Sequence, residues 1–312
     1  MATQTLAQAK LLINNEIVRG VAEDFISVNP IYDILPFTGY DGQGLIVNRE
    51  LTLGPTEIAA VGATITSTAK TASTFTQKVF KATKLIGDAE MDGLVQAQSA
   101  SAGVDQTALE ISLKAKSLGR LFQTGMAQGT GNAPQMNSFH SLCDATQYTT
   151  AATTQVLSFE LLDELLDLVL AKDGEVDFIM MAARTIRSYK VLLRSLGGTP
   201  ADWVVTLPGG RTTISYEQIP IFRNDYLSVA ETANGAALTG AALTSVWAGC
   251  FDDGSSKIGV AGVHPASVPA GIMVENVGAQ EVKDVTIWRI KQYANFALFN
   301  RKGLARLTSI SN

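Results

Sequence analysis

The strongest constraint on the fold is a long amphipathic pattern that begins near residue 104. Apolar side chains recur at steps of four and three residues, which places them on one stripe of a single helix. The stripe consists of Val104, Ala108, Ile111, Ala115, Leu118 and Phe122. Asp105 can cap the helix start, and Gly129 and Gly131 can end it, so the pattern predicts a helix from about Asp105 to Ala127. Such a helix is roughly 33 Å long and needs an extended apolar surface beside it.

The segment before this helix has the composition of extended backbone. Leu45–Glu50 is predicted to be a short strand, and nine threonines follow between Thr52 and Thr83 without a helical stripe. Threonine is restricted at χ1 and favours extended conformations. The pattern therefore predicts a long two-stranded projection, which is marginally stable alone and needs the surface of a neighbour. Asp88–Gln98 is predicted to be a short helix that leads into the long one.

Residues 1–25 carry apolar side chains at near-helical spacing, and an extended stretch follows around Pro30 and Pro36. This pattern fits an arm that reaches across a neighbouring molecule. It fits an ordinary packed N-terminal helix equally well, because periodicity does not identify the surface that an amphipathic helix covers.

The middle segment, which follows the long helix, is predicted to form a domain of its own. A helix over Ser158–Ala171, a strand over Val176–Ala182 and a second helix over RTIRSYKVLLRSLGG give an α/β unit. The carboxylates of the first of these helices indicate a solvated face. Short strands are predicted next, around Val204 and at Ile214–Ile221, Ser245–Phe251, Lys257–Val263 and Ile272–Val277.

The segment from residue 280 onward is strand-like and has no domain of its own. It is predicted to return to the strands and helix that precede residue 135, with Val285–Phe299 beside the long helix. The middle domain would then be an insertion into a discontinuous one, and the fold class is α+β.

Composition narrows the classes of function. The net charge is −5, and no window concentrates Lys and Arg with aromatic residues, which argues against sequence-specific nucleic-acid binding. Two cysteines without CxxC spacing fit a reducing compartment. The sequence has neither a leader pattern nor a long apolar run, so we expect a soluble, unexported protein without membrane partners. Charged residues make up only 17% of the chain, which suggests that other subunits cover part of its surface.

The residues that could support catalysis are few. His140 and His264 are the only imidazoles and lack metal-ligand spacing. Cys143 lies close to His140 in sequence, but a buried structural cysteine is the simpler interpretation. Asp252 and Asp253 could hold a cation, although FDDGSSK is also an ordinary turn between strands. We therefore expect no enzyme activity, no catalytic residue, no cofactor and no metal.

The order of several segments is more informative than any one of them. They are LINNEIVRGVAEDFISVNPIYDILPF with GLIVNRE, then VFKATKLIGDAEMD, MAQGTGNAP, FIMMAARTIRSYKVLL and KQYANFALFNRKGLARL. In this order they resemble the major capsid protein of tailed bacteriophages with the HK97 fold. The resemblance implies an HK97-like capsid fold whose parts are an N-arm (1–36), an extended E-loop region (37–87), a P-domain with a long spine helix (88–135), an inserted A-domain (136–279) and P-domain return strands (280–312).

The function implied by the resemblance is structural. Hexamers and pentamers of the chain would assemble in the host bacterial cytoplasm into an icosahedral phage head, the virion capsid, around double-stranded DNA that is contacted non-specifically. Separate scaffolding, portal and decoration proteins are the further partners that it suggests. The alternatives are an encapsulin-type nanocompartment shell of the same fold and, below it, an unrecognised soluble enzyme.

The candidate contacts between subunits lie in or beside the E-loop. They are Glu50, Lys70, Phe75, Lys78, Lys81 and Lys84. Some members of the family join an E-loop lysine covalently to an asparagine of a neighbour. Lysines on exposed strands more commonly keep a protein soluble or protect a sheet edge.

Overall fold

The computed structural model describes residues 34–101, 106–171, 174–197, 204–207, 212–232, 237–254 and 258–311. The predicted N-arm, residues 1–36, therefore lies outside the described residues except for residues 34–36.

The described residues form an α+β fold. The strands are β1 (Phe37–Tyr40), β2 (Leu45–Thr52), β3 (Thr74–Phe80), β4 (Thr83–Asp92), β5 (Tyr148–Gln155), β6 (Phe178–Met181), β7 (Val204–Thr206), β8 (Thr212–Tyr216), β9 (Ile219–Arg223), β10 (Leu243–Gly249), β11 (Val260–Pro265), β12 (Met273–Ala279), β13 (Val285–Leu298) and β14 (Leu304–Ser311). The helices are α1 (Gly93–Ser101), α2 (Gln106–Gln128), α3 (Phe139–Leu142), α4 (Phe159–Leu170) and α5 (Ala183–Ser195).

The first sheet is built around β13, a strand of 14 residues. Its order is β1–β11–β13–β12, and β4 also pairs with β13. The β4–β13 pairing is antiparallel and runs from Val285 opposite Asp92 to Ala294 opposite Thr83. The other end of β13 pairs with β11, so this one strand extends through the whole sheet.

Helix α2 packs on the part of this sheet formed by β4 and β13. Leu118 and Phe122 of the helix are buried in one apolar cluster with residues of both strands. Those residues are Leu85, Ala89, Ile290 and Ala294. The predicted long helix is confirmed, and so is its contact with the returning strand.

The apolar stripe of α2 is buried over only part of its length. Phe122 is fully buried, Ile111 and Ala115 are half-buried against the same cluster, and Ala108 is exposed. Burial thus increases toward the C-terminal half of the helix. Gly129 ends the helix where a side chain would not fit, because its Cβ would lie 2.4 Å from the Met136 carbonyl oxygen.

The second sheet has the order β5–β14–β10–β6–β9–β8–β7. One face is covered by α4 and α5, whose side chains share a core with Val246 and Leu307 of the sheet. The opposite face carries an aromatic core in which Phe139 contacts Trp247 and Phe296, with ring centroids 5.7 and 4.8 Å apart. The third sheet is a separate antiparallel pair, β2 and β3.

The prediction of a helix at Asp88–Gln98 is wrong at its start. Residues up to Asp92 belong to β4, and the helix begins at Gly93. Leu85, Ala89 and Met91 are buried, and pairing along β13 outweighs the weak helical tendency of the local sequence.

The single strand predicted over Ile214–Ile221 is instead a tight hairpin. Strands β8 and β9 are joined at Glu217 and Gln218, which have φ values of 49° and 64°. Two successive residues with positive φ form the turn that suits the twist of a two-residue hairpin. The local sequence does not indicate this turn, because neither of the two turn residues is a glycine.

The returning segment, residues 280–312, is divided between the two large sheets. Strand β13 joins β4 as expected, whereas β14 pairs with β10 and β5 in the second sheet. Strand β14 is buried on both faces through Ile310, with Leu304 in one apolar cluster and Leu307 in another, so a site between two strands accommodates it. Strand β11, from the middle segment, pairs in the first sheet. The domain boundaries drawn from the sequence stay a prediction.

Candidate assembly surface

The hairpin formed by β2 and β3 is the most exposed apolar feature of the described chain. The register places Ile46 opposite Val79 and Glu50 opposite Phe75. Cross-strand partners point to the same side of a sheet, so these four side chains share one face. Ile46 is 58% exposed, Phe75 71% and Val79 47%. We call Ile46, Phe75 and Val79 the outward stripe.

The opposite face of the hairpin is turned toward the body of the protein at its base. Phe80 is buried against Phe299, with ring centroids 6.1 Å apart. The guanidinium of Arg49 donates to the carbonyl oxygens of Leu298 and Phe299 and lies over the Phe80 ring. These contacts fix the base, so the hairpin leaves the body in a defined direction.

The tip of the hairpin is ordered by hydrogen bonds and not by a core. The Glu57 carboxylate accepts from the Thr66 amide at 2.8 Å and from its hydroxyl at 2.6 Å, and these bonds lower the pKa of Glu57. Near the strands, the Gly54 amide donates to the Ser73 hydroxyl at 2.8 Å. Ile58 and Val61 lie in this tip and are fully exposed.

The six predicted contact residues do not form one patch. Glu50 and Phe75 lie together on the outward face, whereas Lys78 is opposite Val47 on the other face. Lys70 lies in a short 3-10 turn at the tip.

The remaining two residues lie at the base of the hairpin. Lys81 is exposed, and its carbonyl accepts from the Asn295 side chain at 2.6 Å. Lys84 is in β4, opposite Tyr293. The roles of all six stay predictions.

Sequence reasoning missed Ile46 and Val79. Neither LIVNRE nor TQKVF alternates apolar with polar residues, so the local sequence does not separate the two faces of these strands. Only the register shows that the two residues oppose each other and extend the surface that begins at Phe75.

The groups considered for catalysis include a buried thiol, a histidine beside backbone carbonyls and two carboxylates that line a cavity. Burial raises the pKa of the Cys143 thiol to about 12, which leaves it protonated and unreactive. The Nδ1 atom of His264 lies 3.0 Å from the Pro265 carbonyl oxygen and 2.8 Å from that of Val268. Asp252 and Asp253 line a cavity of about 400 Å³.

The described residues contain no group of three or more His, Cys, Asp or Glu side chains that could hold a metal ion. Of the helices in the described ranges, none has the length and hydrophobicity of a membrane span.

The remaining histidine belongs to a buried charged cluster. Glu231 and Arg306 are 1% and 2% exposed, and their Oε2 and Nη2 atoms are 3.0 Å apart. His140 Nε2 lies 3.3 Å from Glu231 Oε1, and the Ser245 hydroxyl donates to the same carboxylate. Burial by itself would raise the pKa of Glu231, but His140, Arg306 and Ser245 together hold that pKa below its usual value. Burial lowers the pKa of His140. These contacts explain the cluster as a link that holds β14 and the loop after β9.

Comparison with known proteins gives structural matches alone. No protein-family model matches the sequence, and no curated protein matches it. A holo-SrpI encapsulin complex from Synechococcus elongatus PCC 7942 has a TM-score of 0.72 at 16% identity, over 100% of this chain and 97% of that one. The capsid of an empty GTA particle has a TM-score of 0.64 at 11% identity, over 100% of both chains. Mycobacterium phage Ogopogo has a TM-score of 0.63 at 12% identity, over 98% of this chain and 99% of that one. At these identities the likeness establishes the fold, which is HK97-like.

Proposed function

We propose that this HK97-fold chain is a structural shell protein that assembles with copies of itself. The supporting observation is the outward stripe, which presents three large apolar side chains on a hairpin anchored by its other face. Exposed apolar patches of this kind mark contact sites, and burying the exposed part of each side chain contributes about 1–2 kcal/mol. Modest contacts repeated by symmetry are sufficient to hold a closed shell together.

Within this proposal, the particle is an icosahedral phage head of hexamers and pentamers that assembles in the bacterial cytoplasm and encloses double-stranded DNA. The long hairpin supports a virion, as does the family resemblance of the segment before it. A net charge of −5 suits a wall that does not hold phosphates tightly, because each neutralised phosphate adds salt-dependent affinity. Scaffolding, portal and decoration proteins would be separate chains.

An encapsulin-type nanocompartment is the second candidate. It is favoured by the TM-score of 0.72 with the encapsulin, which exceeds the 0.64 and 0.63 of the two particles named beside it. The two candidates differ in what the shell encloses and in whether a scaffold is needed. We give the phage head priority because of the hairpin and the order of the resembling segments.

Electron microscopy of the expressed chain tests shell formation. We expect closed particles for the wild type, alone or with a scaffold partner, and none for a chain that lacks residues 62–73. The deleted chain should keep a cooperative melting transition, because the tip contacts no core cluster. Loss of that transition would assign the tip to the subunit's own core.

A substitution pair gives a finer control. Ile46→Thr with Phe75→Thr removes most of the outward stripe, whereas Thr76→Ser changes an exposed side chain on the opposite face. The double variant should raise the concentration needed for assembly at least tenfold, and the control should assemble like the wild type. Equal assembly of both would refute the role of the stripe. Nuclease-protected nucleic acid inside particles from a phage-infected host would favour the virion over the nanocompartment.

A further inference from the structure

Helices α4 and α5 carry opposite charges on their exposed faces. The exposed carboxylates of α4 are Glu160, Asp163, Glu164 and Asp167, and the helix contains no basic residue. The exposed cations of α5 are Arg187, Lys190 and Arg194, and that helix contains no acidic residue. We call these sets the acidic stripe and the basic stripe.

The two helices are neighbours on the same face of the second sheet. Their apolar sides share one core cluster, and Phe159 of α4 meets Tyr189 of α5 with ring centroids 6.2 Å apart. Both charged stripes therefore point away from that sheet, on one side of the molecule. In the described chain, no ion pair joins the stripes, although the Tyr216 hydroxyl donates to Asp163.

Helix dipoles explain only part of this segregation of charge. Glu160 in the first turn of α4 and Arg194 in the last turn of α5 lie where the dipole favours their charges. Asp167 lies in the last turn of α4, where the dipole disfavours a negative charge.

Spacing within the helices adds to the conflict. Glu160 and Glu164 repel at i,i+4 in α4, and Lys190 and Arg194 do so in α5. Each stripe is thus unfavourable in the isolated subunit and would be relieved by a surface of opposite charge.

Each stripe also borders an exposed aliphatic side chain. Val191 is 60% exposed beside the basic stripe, and Leu170 is 43% exposed at the end of the acidic one. These two side chains would add buried apolar area to a contact between the stripes.

We propose that the basic stripe of one copy of this chain docks on the acidic stripe of a second copy. Charge complementarity identifies the partner, because the same side of the molecule carries four exposed carboxylates on α4 and three exposed cations on α5. The contact rests on the proposed function, since a shell brings the same faces together around its symmetry axes. It is separate from the hairpin contact because it involves another sheet and another set of side chains.

Charge reversal provides the test. Variant A carries Glu164→Lys and Asp167→Lys, variant B carries Arg187→Glu and Lys190→Glu, and variant AB carries all four. We expect A and B alone to need at least tenfold more protein for assembly than the wild type. Variant AB should assemble by itself, and an equimolar mixture of A and B should assemble at a lower concentration than either alone, because the reversed residues again face residues of opposite sign where A meets B. Light scattering and electron microscopy at low and high salt measure these outcomes, with weaker wild-type assembly expected at high salt.

The control reverses two exposed carboxylates away from both stripes, Asp41→Lys with Glu281→Lys, and should assemble like the wild type. Melting curves must show that every variant is folded. If variant A alone and variant B alone each assembled at the wild-type concentration, the stripe contact would be overturned and the shell function would remain intact.

Two other outcomes would also overturn the contact. A defect in B that neither A nor the combined variant rescues would assign the basic stripe to a different ligand, such as nucleic acid. Failure of the wild type to form particles under any condition would overturn the shell function and, with it, this contact.

Discussion

Replacing Arg306 by leucine tests how much the buried ion pair between Arg306 and Glu231 contributes to the free energy of unfolding. Arg306 and Glu231 are both almost fully buried, and the arginine also lies over the rings of Trp247 and Tyr148, 5.0 and 5.5 Å from their centroids. Removing Arg306 alone leaves the Glu231 carboxylate buried beside Ser245, without its charge partner. Breaking a buried ion pair in this way costs about 3–5 kcal/mol of unfolding free energy.

Removing both charges should cost far less. The double variant Arg306→Leu with Glu231→Leu places apolar side chains in a largely apolar core, and such replacements are often neutral or stabilising by about 1–4 kcal/mol. Each single variant is therefore expected to be clearly less stable than the double one. Urea unfolding of unassembled subunits, followed by circular dichroism and tryptophan fluorescence, measures the difference.

The pH dependence has a definite sign. In the wild type the pKa of Glu231 is lowered, so its contribution to stability is present above the unfolded pKa and is lost as the pH falls through the folded value. In Arg306→Leu, burial raises that pKa, and the penalty is relieved once the carboxylate takes up a proton. His140 faces the same carboxylate, and in the wild type burial lowers the pKa of His140.

The gap between wild type and Arg306→Leu should therefore shrink between pH 7 and pH 4. A single variant that loses less than about 1 kcal/mol would refute the assignment of a coupled buried pair. So would a gap of the same size at both pH values.

Two further predictions concern the long helix and the loop after α3. Phe122→Ala should lower the unfolding free energy by about 3–5 kcal/mol, because the ring is fully buried, whereas Ala108→Ser on the exposed part of α2 should change it by less than about 0.5 kcal/mol in the same urea titration. Arg301 holds the pKa of Asp144 at about 2, chiefly through its side-chain hydrogen bond, so Arg301→Gln should raise that pKa toward its ordinary value. The stability linked to Asp144 would then be lost at a higher pH as acid is added. An NMR titration of the Asp144 carboxyl carbon measures the pKa, and an unchanged pKa in the variant would refute the reasoning.

The elements that the sequence predicts well are those whose signal is periodic and local. The stripe through Leu118 and Phe122 requires a helix, and the threonine-rich run before it requires extended chain, whatever the remainder of the protein does. The helix is present as α2, and the projection is present as the β2–β3 hairpin, but its strands end at Thr52 and resume at Thr74, so residues 53–73 form no strand. The expected return of the C-terminal strand to the helix also holds for β13.

The elements that the sequence predicts poorly are those set by distant partners. Residues 88–92 become a strand because β13 pairs with them, and β14 enters the second sheet because β10 and β5 flank it. For the candidate surface, composition identifies Phe75, but only strand register adds Ile46 and Val79. The local sequence also indicates a solvated face for α4, because the complementary charges of α5 lie on a separate helix.

The pairing of β13 and β14 has a consequence for biosynthesis. Neither large sheet is complete until residues 285–311 have been made, since β13 is the middle of the first sheet and β14 separates β5 from β10 in the second. The ribosome therefore synthesises β13 and β14, which complete the two sheets, after all the strands with which they pair. A ribosome-bound chain stopped before residue 285 should be digested readily by a protease along its whole length. Because the chain folds only after its synthesis is complete, the hairpin and the charged helices of an unfinished chain would not form contact surfaces for other copies.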